Sequence, residues 1–201
     1  MPDGKILFDH TLPQSTAAAV RSVLDEYNLS YYIYTDKCVT ASGESSPHSS
    51  FKEYGSLLAV DYAVRFAYGK EALNAALSTP VHKFFIHRFE SDVQLAEVRN
   101  RLSLMEDIYL TSASAHKLEV MPLHVDKGTG IRETAAAFGI DINEVMAVGD
   151  YDNDMPMIKA AGLGVAMGNG SAELKAAANY ITFPNTEDGL AQAIEKFVLN
   201  V

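Results

Sequence analysis

The sequence is short of several things, and each shortage closes off a class of protein. It has one cysteine, Cys38, so no internal disulfide can form. That fits a reducing compartment and a cytoplasmic location. No segment resembles a secretory signal, and none approaches the ~20 consecutive apolar residues of a membrane-spanning helix. Cations are scarce: 16 Lys+Arg stand against 26 Asp+Glu, a formal net charge of −10. A field of that sign repels phosphate backbones and anionic lipid headgroups, so neither nucleic acid nor a membrane is an expected partner. A small phosphorylated substrate is not excluded, because one lysine or a bound metal reverses the potential inside a single cleft. Repeats and low-complexity tracts are also absent. With 48% hydrophobic and 21% charged residues, the 201-residue chain can bury a substantial core, as one large domain or two small ones. Disorder is excluded.

The rhythm of the chain changes once. Pro2-Asp3-Gly4 is a turn signal ahead of an expected strand, Lys5 to Phe8. From Leu12 to Leu29 the apolar residues Ala17, Val20, Val23, Leu24 and Tyr27 recur at helical spacing. Two strands are expected from Ser30 to Tyr34 and Cys38 to Ala41, then a polar loop, Gly43 to Ser50. Helical patterns cover Leu57 to Tyr68, Lys70 to Leu77 and Ser91 to Leu104; strands are expected at Val81 to Phe89, Ile108 to Ala113 and Lys117 to Met121. Residues 1–122 therefore read as an α+β domain with helices over one mixed sheet. From 123 to 201, short apolar strands (Val145 to Val148, Leu163 to Met167, Tyr180 to Thr182) alternate with helices at Gly128 to Phe138, Met155 to Ala161, Ala172 to Ala178 and Gly189 to Leu199. That alternation means a parallel sheet covered on both faces: part of a doubly wound α/β domain.

The strongest chemical signal is Val145-Met146-Ala147-Val148-Gly149-Asp150-Tyr151-Asp152-Asn153-Asp154. It puts a glycine and three aspartates just beyond the carboxyl end of a buried strand, where open α/β sheets bind ligands. Three carboxylates so close repel one another, and a hard divalent cation such as Mg²⁺ would relieve them. A polar loop in which Asn153 or Asp154 caps the next helix accounts for the same residues, and the two readings are compatible. Lys127, in Asp126-Lys127-Gly128-Thr129-Gly130, stands at an expected helix N-terminus, where backbone N–H groups and an ammonium together attract a phosphate. On its own it would be a solvated lysine at a turn.

These residues carry a resemblance. Lys127-Gly128, then Gly149-Asp150-x-x-Asn153-Asp154-x-x-Met157, then Ala161-Gly162-x-Gly164-Val165-Ala166-Met167-x-Asn169, then Asn185-x-Glu187-Asp188-Gly189 resemble the closing motifs of the haloacid dehalogenase superfamily, in its Cof-type sugar-phosphatase branch. The resemblance implies a Mg²⁺-dependent phosphatase of small phosphorylated metabolites, working through an aspartyl-phosphate. It makes 1–122 the large α+β cap domain with its entry hairpin, and 123–201 the C-terminal half of the doubly wound core. Lys127 would be the catalytic and phosphate-binding lysine. Asp150 would be the Mg²⁺ ligand, Asn153 a substrate or phosphate contact, and Asp154 a carboxylate one step behind the ion. Charge neutralisation and positioning of this kind dominate phosphoryl transfer.

One motif is missing. Family members open with a strand ending in Asp-x-Asp-Gly-Thr-Leu, whose first Asp is the nucleophile and whose second is the acid and base. Phe8-Asp9-His10-Thr11-Leu12 echoes it, but Thr11 replaces the second carboxylate and Pro13 follows, so Asp9 is expected at the surface. Tyr34-Thr35, which could imitate the second motif, falls where the first cap strand belongs. The chain is therefore expected to begin partway through a Cof-type protein, lacking the core lobe that carries the nucleophile, and to be inactive alone. Its strand Val145 to Val148 is then expected at a sheet edge, inviting self-association or a separate N-terminal lobe. A non-catalytic remnant, an interaction module and one half of a two-chain enzyme are the rival readings. The six histidines are scattered, and Tyr31, Tyr32, Tyr34 and the methionines near Asp150 are expected to pack.

Overall fold

The computed structural model describes residues 6–43, 65–112 and 116–199. They fall into two compact units, one of residues 10–111 and 116–123, the other of residues 6–9, 112 and 124–199.

In the first unit the helix α1 (Gln14–Glu26) presents Ala17, Val20, Val23 and Leu24 as one buried stripe. The chain then crosses a six-stranded sheet built from β1 (Tyr31–Thr35), β2 (Val39–Ala41), β3 (Phe66–Tyr68), β4 (Val81–Ile86), β5 (Ile108–Thr111) and β6 (Leu118–Pro122), in the order β3-β2-β1-β4-β6-β5. Helices α2 (Gly69–Leu77) and α3 (Asp92–Leu102) complete the unit, and the Ser91 side chain caps α3 by accepting from Gln94 N–H. Period-two alternation sorts the faces. Tyr31, Ile33, Phe84, Ile86, Leu118 and Val120 join the helix residues in one core, while Tyr32, Val39 and Ala41 form a second cluster on the opposite face. Every pairing is antiparallel except β2 with β3.

The second unit alternates as expected. Helix α4 (Lys127–Ala137) is capped by Asp126, and is followed by β7 (Met146–Gly149), α5 (Met155–Ala160), β8 (Leu163–Ala166), α6 (Ala172–Ala177), β9 (Tyr180–Ile181) and α7 (Gly189–Ile194). The three strands are parallel, in the order β7-β8-β9, so the loops that follow them leave from one edge. Among the described residues β7 has no partner on its outer side. No described helix is long and apolar enough to cross a membrane.

Three local expectations fail. Ile6 to Phe8 form no strand. Phe66–Tyr68 is a strand rather than the end of a helix: apolar spacing alone suits either, and parallel pairing with β2 decides it by placing Phe66 and Tyr68 against the Tyr32 cluster. The last helix keeps α-geometry only to Ile194 and continues through 195–199 in wider turns. Lys5, residues 44–50 of the expected loop and 57–64 of the expected helix lie outside the described residues.

Candidate active site

Because β7, β8 and β9 run parallel, the segments carrying Asp150, Asn169 and Asn185 converge at their carboxyl ends. Backbone bonds fasten the convergence: Met167 N–H donates to Gly149 O at 2.8 Å, Thr182 N–H to Ala166 O at 2.9 Å, and Gly168 N–H to Phe183 O at 3.1 Å. Beside it lies a cavity of about 680 Å³, whose lining includes Lys127, Asp150, Asp154, Asn185 and Asp188 together with the apolar Val148, Met167 and Leu190.

The three aspartates do not form one acidic knot. Asp154 is buried, and its carboxylate turns back on the chain: Oδ2 accepts from Asp150 N–H at 2.9 Å and Tyr151 N–H at 3.1 Å. Its Oδ1 receives the Lys127 ammonium. Asp152 accepts from Ser171 Oγ at 3.3 Å, and Asp150, exposed, accepts at Oδ2 from Asn169 Nδ2 at 3.2 Å. Each of the three carboxylates thus has a separate partner, and the one cationic partner, Lys127, belongs to Asp154. Among the described residues no three His, Cys, Asp or Glu side chains are placed to hold a metal ion. Neither Asn153 nor Asp154 caps α5 through its side chain.

Two glycines make this packing possible. A Cβ on Gly149 would collide with the Asp154 side chain, and one on Gly128 would lie 2.6 Å from Pro156 O. Gly149 lets Asp154 tuck under the strand end, and Gly128 lets the start of α4 close on α5, which brings Lys127 to Asp154. The Lys127 side chain is 49% exposed and Asp154 only 5%, so the buried carboxylate anchors an ammonium that still reaches the cavity.

Of the residues singled out in the sequence, Lys127, Asp150 and Asp154 meet at this edge. Asn153 makes no hydrogen bond to the described residues and does not line the cavity. Asp9 is exposed, outside any strand, and away from the cavity lining. Tyr34 and Thr35 end β1 in the other unit's sheet. Burial, then the nearby Glu119 carboxylate, raises the Tyr34 phenol above its usual range. The sequence motifs contained Asn169 and Asn185 but assigned them nothing, and Ser171 lay outside them; the bonds of these residues span 16 to 19 residues, which no local pattern reports.

The cavity lining offers a hard cation the carboxylate of Asp150. Mg²⁺ holds several waters and takes one or two protein carboxylates, completing its shell with substrate phosphate. Asp150 supplies one such carboxylate, with Oδ1 free of hydrogen bonds to the described residues, whereas both Asp154 oxygens are committed.

A family model described as haloacid dehalogenase-like hydrolase matches residues 1–194. The chain is 39% identical over 116 residues to the 5-amino-6-(5-phospho-D-ribitylamino)uracil phosphatase YcsE of Bacillus subtilis, a match covering 56% of this chain and 47% of that protein. It thus spans about half the length of that curated relative. It also superposes on a haloacid dehalogenase-like hydrolase from Bacteroides thetaiotaomicron with a TM-score of 0.76 at 27% identity, covering 97% of this chain and 71% of the other. On the subclass IIB sugar phosphatase BT4131 the TM-score is 0.79 at 21% identity, covering 97% and 70%, a likeness of fold alone.

Proposed function

The chain belongs to the haloacid dehalogenase-like hydrolases, in their Cof-type branch, and on that premise we propose that it carries the cap and the Lys127–Asp150–Asp154 part of a Mg²⁺-dependent phosphatase. Its substrates are small phosphorylated metabolites, sugar phosphates among them. The observation that carries this reading is the Lys127 ammonium, anchored by buried Asp154 at the carboxyl edge of a parallel sheet and half exposed beside the carboxylate of Asp150.

Each residue has a task in phosphoryl transfer. Lys127 neutralises the phosphoryl oxygens and the attacking carboxylate, and Asp154 keeps its ammonium in place. Asp150 would hold the cation, which when bound would offset the negative charge that repels an anionic nucleophile. Asn153, although off the cavity lining, keeps the substrate or phosphate contact that the family resemblance implies for it. A carboxylate oxygen attacks phosphorus while the P–O bond to the leaving group breaks and the leaving oxygen takes a proton. Water then hydrolyses the aspartyl-phosphate. Asp9 is exposed and off the cavity lining, which supports the reading that the nucleophile and the acid are supplied from elsewhere.

The outer edge of β7 supports a partner for that purpose. Besides the 680 Å³ cavity, a second one of about 340 Å³, lined by Ile131, Phe138, Ile140, Val145 and Met157, adjoins this part of the unit. A parallel strand whose outer edge is unpaired among the described residues, with an apolar hollow beside it, recruits another strand, from a second copy or from a separate lobe.

The test is an aryl-phosphate assay with Mg²⁺. The chain alone is expected to stay at background, and a separately expressed lobe bearing an Asp-x-Asp-Gly-Thr strand to restore turnover that Lys127→Ala abolishes. Turnover by the chain alone that survives Lys127→Ala and vanishes with Asp9→Ala would overturn the reading.

A further inference from the structure

The Asn169 side chain bonds to both of the other loops that converge at this edge. It lies in the turn after β8. Its Nδ2 donates to Asp150 Oδ2 in the loop after β7, at 3.2 Å, and its Oδ1 accepts the backbone N–H of Asn185, after β9, at 2.9 Å. One amide thus spends a donor and an acceptor on different neighbours, which neither a carboxylate nor an ammonium can do.

The turn that presents it is closely held. Gly170 N–H donates to Met167 O at 2.8 Å, closing the turn, and Ser171 N–H reaches Asp150 O at 3.3 Å. The Ser171 hydroxyl holds Asp152 at 3.3 Å and caps α6 by accepting from Leu174 N–H at 3.3 Å. A Cβ on Gly168 would sit 2.6 Å from Pro184 N, so the turn lies flat against the β9 loop. Asn169 is therefore fixed by backbone on both sides, while the carboxylate it holds is exposed and otherwise without side-chain support among the described residues.

We propose that Asn169 is a positioning residue for the Asp150 carboxylate, engaging Oδ2 so that Oδ1 is held ready for the divalent cation. This rests on the assignment of Asp150 as the cation's ligand made above. The amide is suited to the task because it orients an anion without cancelling its charge. Aspartate in its place would repel Asp150, and lysine would neutralise the group meant for the cation. Outer partners of this kind are worth about 10–100-fold in metal affinity where they have been removed.

The test uses the isotope-labelled full chain in solution NMR. Without metal, the side-chain amide protons of Asn169 are expected to shift on Asp150→Ala, and the Asn185 N–H to exchange faster on Asn169→Ala. In a Mg²⁺ titration followed at residues 149–154, Asn169→Ala is expected to weaken binding about tenfold, with the thermal midpoint and the exchange of β7, β8 and β9 unchanged. Asn169 resonances indifferent to Asp150→Ala overturn the proposal, as does wild-type Mg²⁺ affinity in Asn169→Ala. A fall in affinity that accompanies loss of protection throughout the sheet overturns it too, by showing a structural role. Absence of any Mg²⁺ response in the wild-type chain would instead remove the cation site from the proposed function, and the Asn169–Asp150 measurement would still decide the positioning.

Discussion

Asp154 and Asp150 stand four residues apart with opposite expectations for stability. Asp154 is 4% exposed and accepts two backbone N–H bonds and one ammonium; Asp150 is exposed and accepts one amide bond at 3.2 Å. In Asp154→Asn the amide oxygen can still serve the two N–H groups, but as a neutral acceptor. Bonds to charged acceptors contribute about 1 kcal/mol more than neutral ones, so two of them predict a loss of about 2 kcal/mol. The Lys127 bond adds little to that sum, because an ammonium half in water turns to solvent when its partner goes. Asp154→Ala strands both N–H groups, and about 3 kcal/mol is expected once partial access to water is allowed for. Asp150→Asn should stay within about 0.5 kcal/mol of wild type. In a unit of this size about 1 kcal/mol moves the midpoint by about 4–8 °C. Hydrogen exchange of the β7, β8 and β9 amides in graded urea is the suitable assay, because the two compact units need not unfold together. A result in which Asp154→Asn matches wild type, or in which both Asn variants cost the same, would refute the assignment of Asp154 as the anchor of this loop.

Three further outcomes follow from the same geometry. Gly149→Ala drives a methyl group into the Asp154 side chain and is expected to destabilise the second unit by about 2 kcal/mol or more, read by the same exchange experiment. Burial, and then the 2.7 Å hydrogen bond to Asp25, raises the Tyr31 phenol above its usual range. Its contribution is thus complete below the unfolded value near pH 10 and lost as pH rises toward the folded value, at about 1.4 kcal/mol per pH unit. Tyr31→Phe should flatten that alkaline decline in urea titrations above pH 10, and an unchanged slope would contradict it. Sedimentation over a concentration series should show association that protects Met146 to Gly149 from exchange; a monomer with those amides already protected would refute the open edge.

The alternation after Lys127 was legible in the sequence because its strands are short apolar runs separated by helical patterns, the rhythm of a parallel sheet. The strand-end position of Gly149-Asp150 was legible for the same reason, and with it the edge where a ligand would sit. Phe66 to Tyr68 was not, since three alternating aromatic and small residues suit a helix end as well as a strand until β2 offers its hydrogen bonds. The aspartates show the limit most clearly. Read in line, Asp150, Asp152 and Asp154 are three like charges in need of a cation. In space each has its own partner, in Asn169, Ser171 and Lys127, drawn from 19 to 27 residues away by parallel strands whose loops meet at one end. Local spacing determines which residues share a strand or a helix face. Which charges are neutralised, and which carboxylate oxygen stays open, depends on contacts between loops distant in sequence, and those exist only once the sheet has formed.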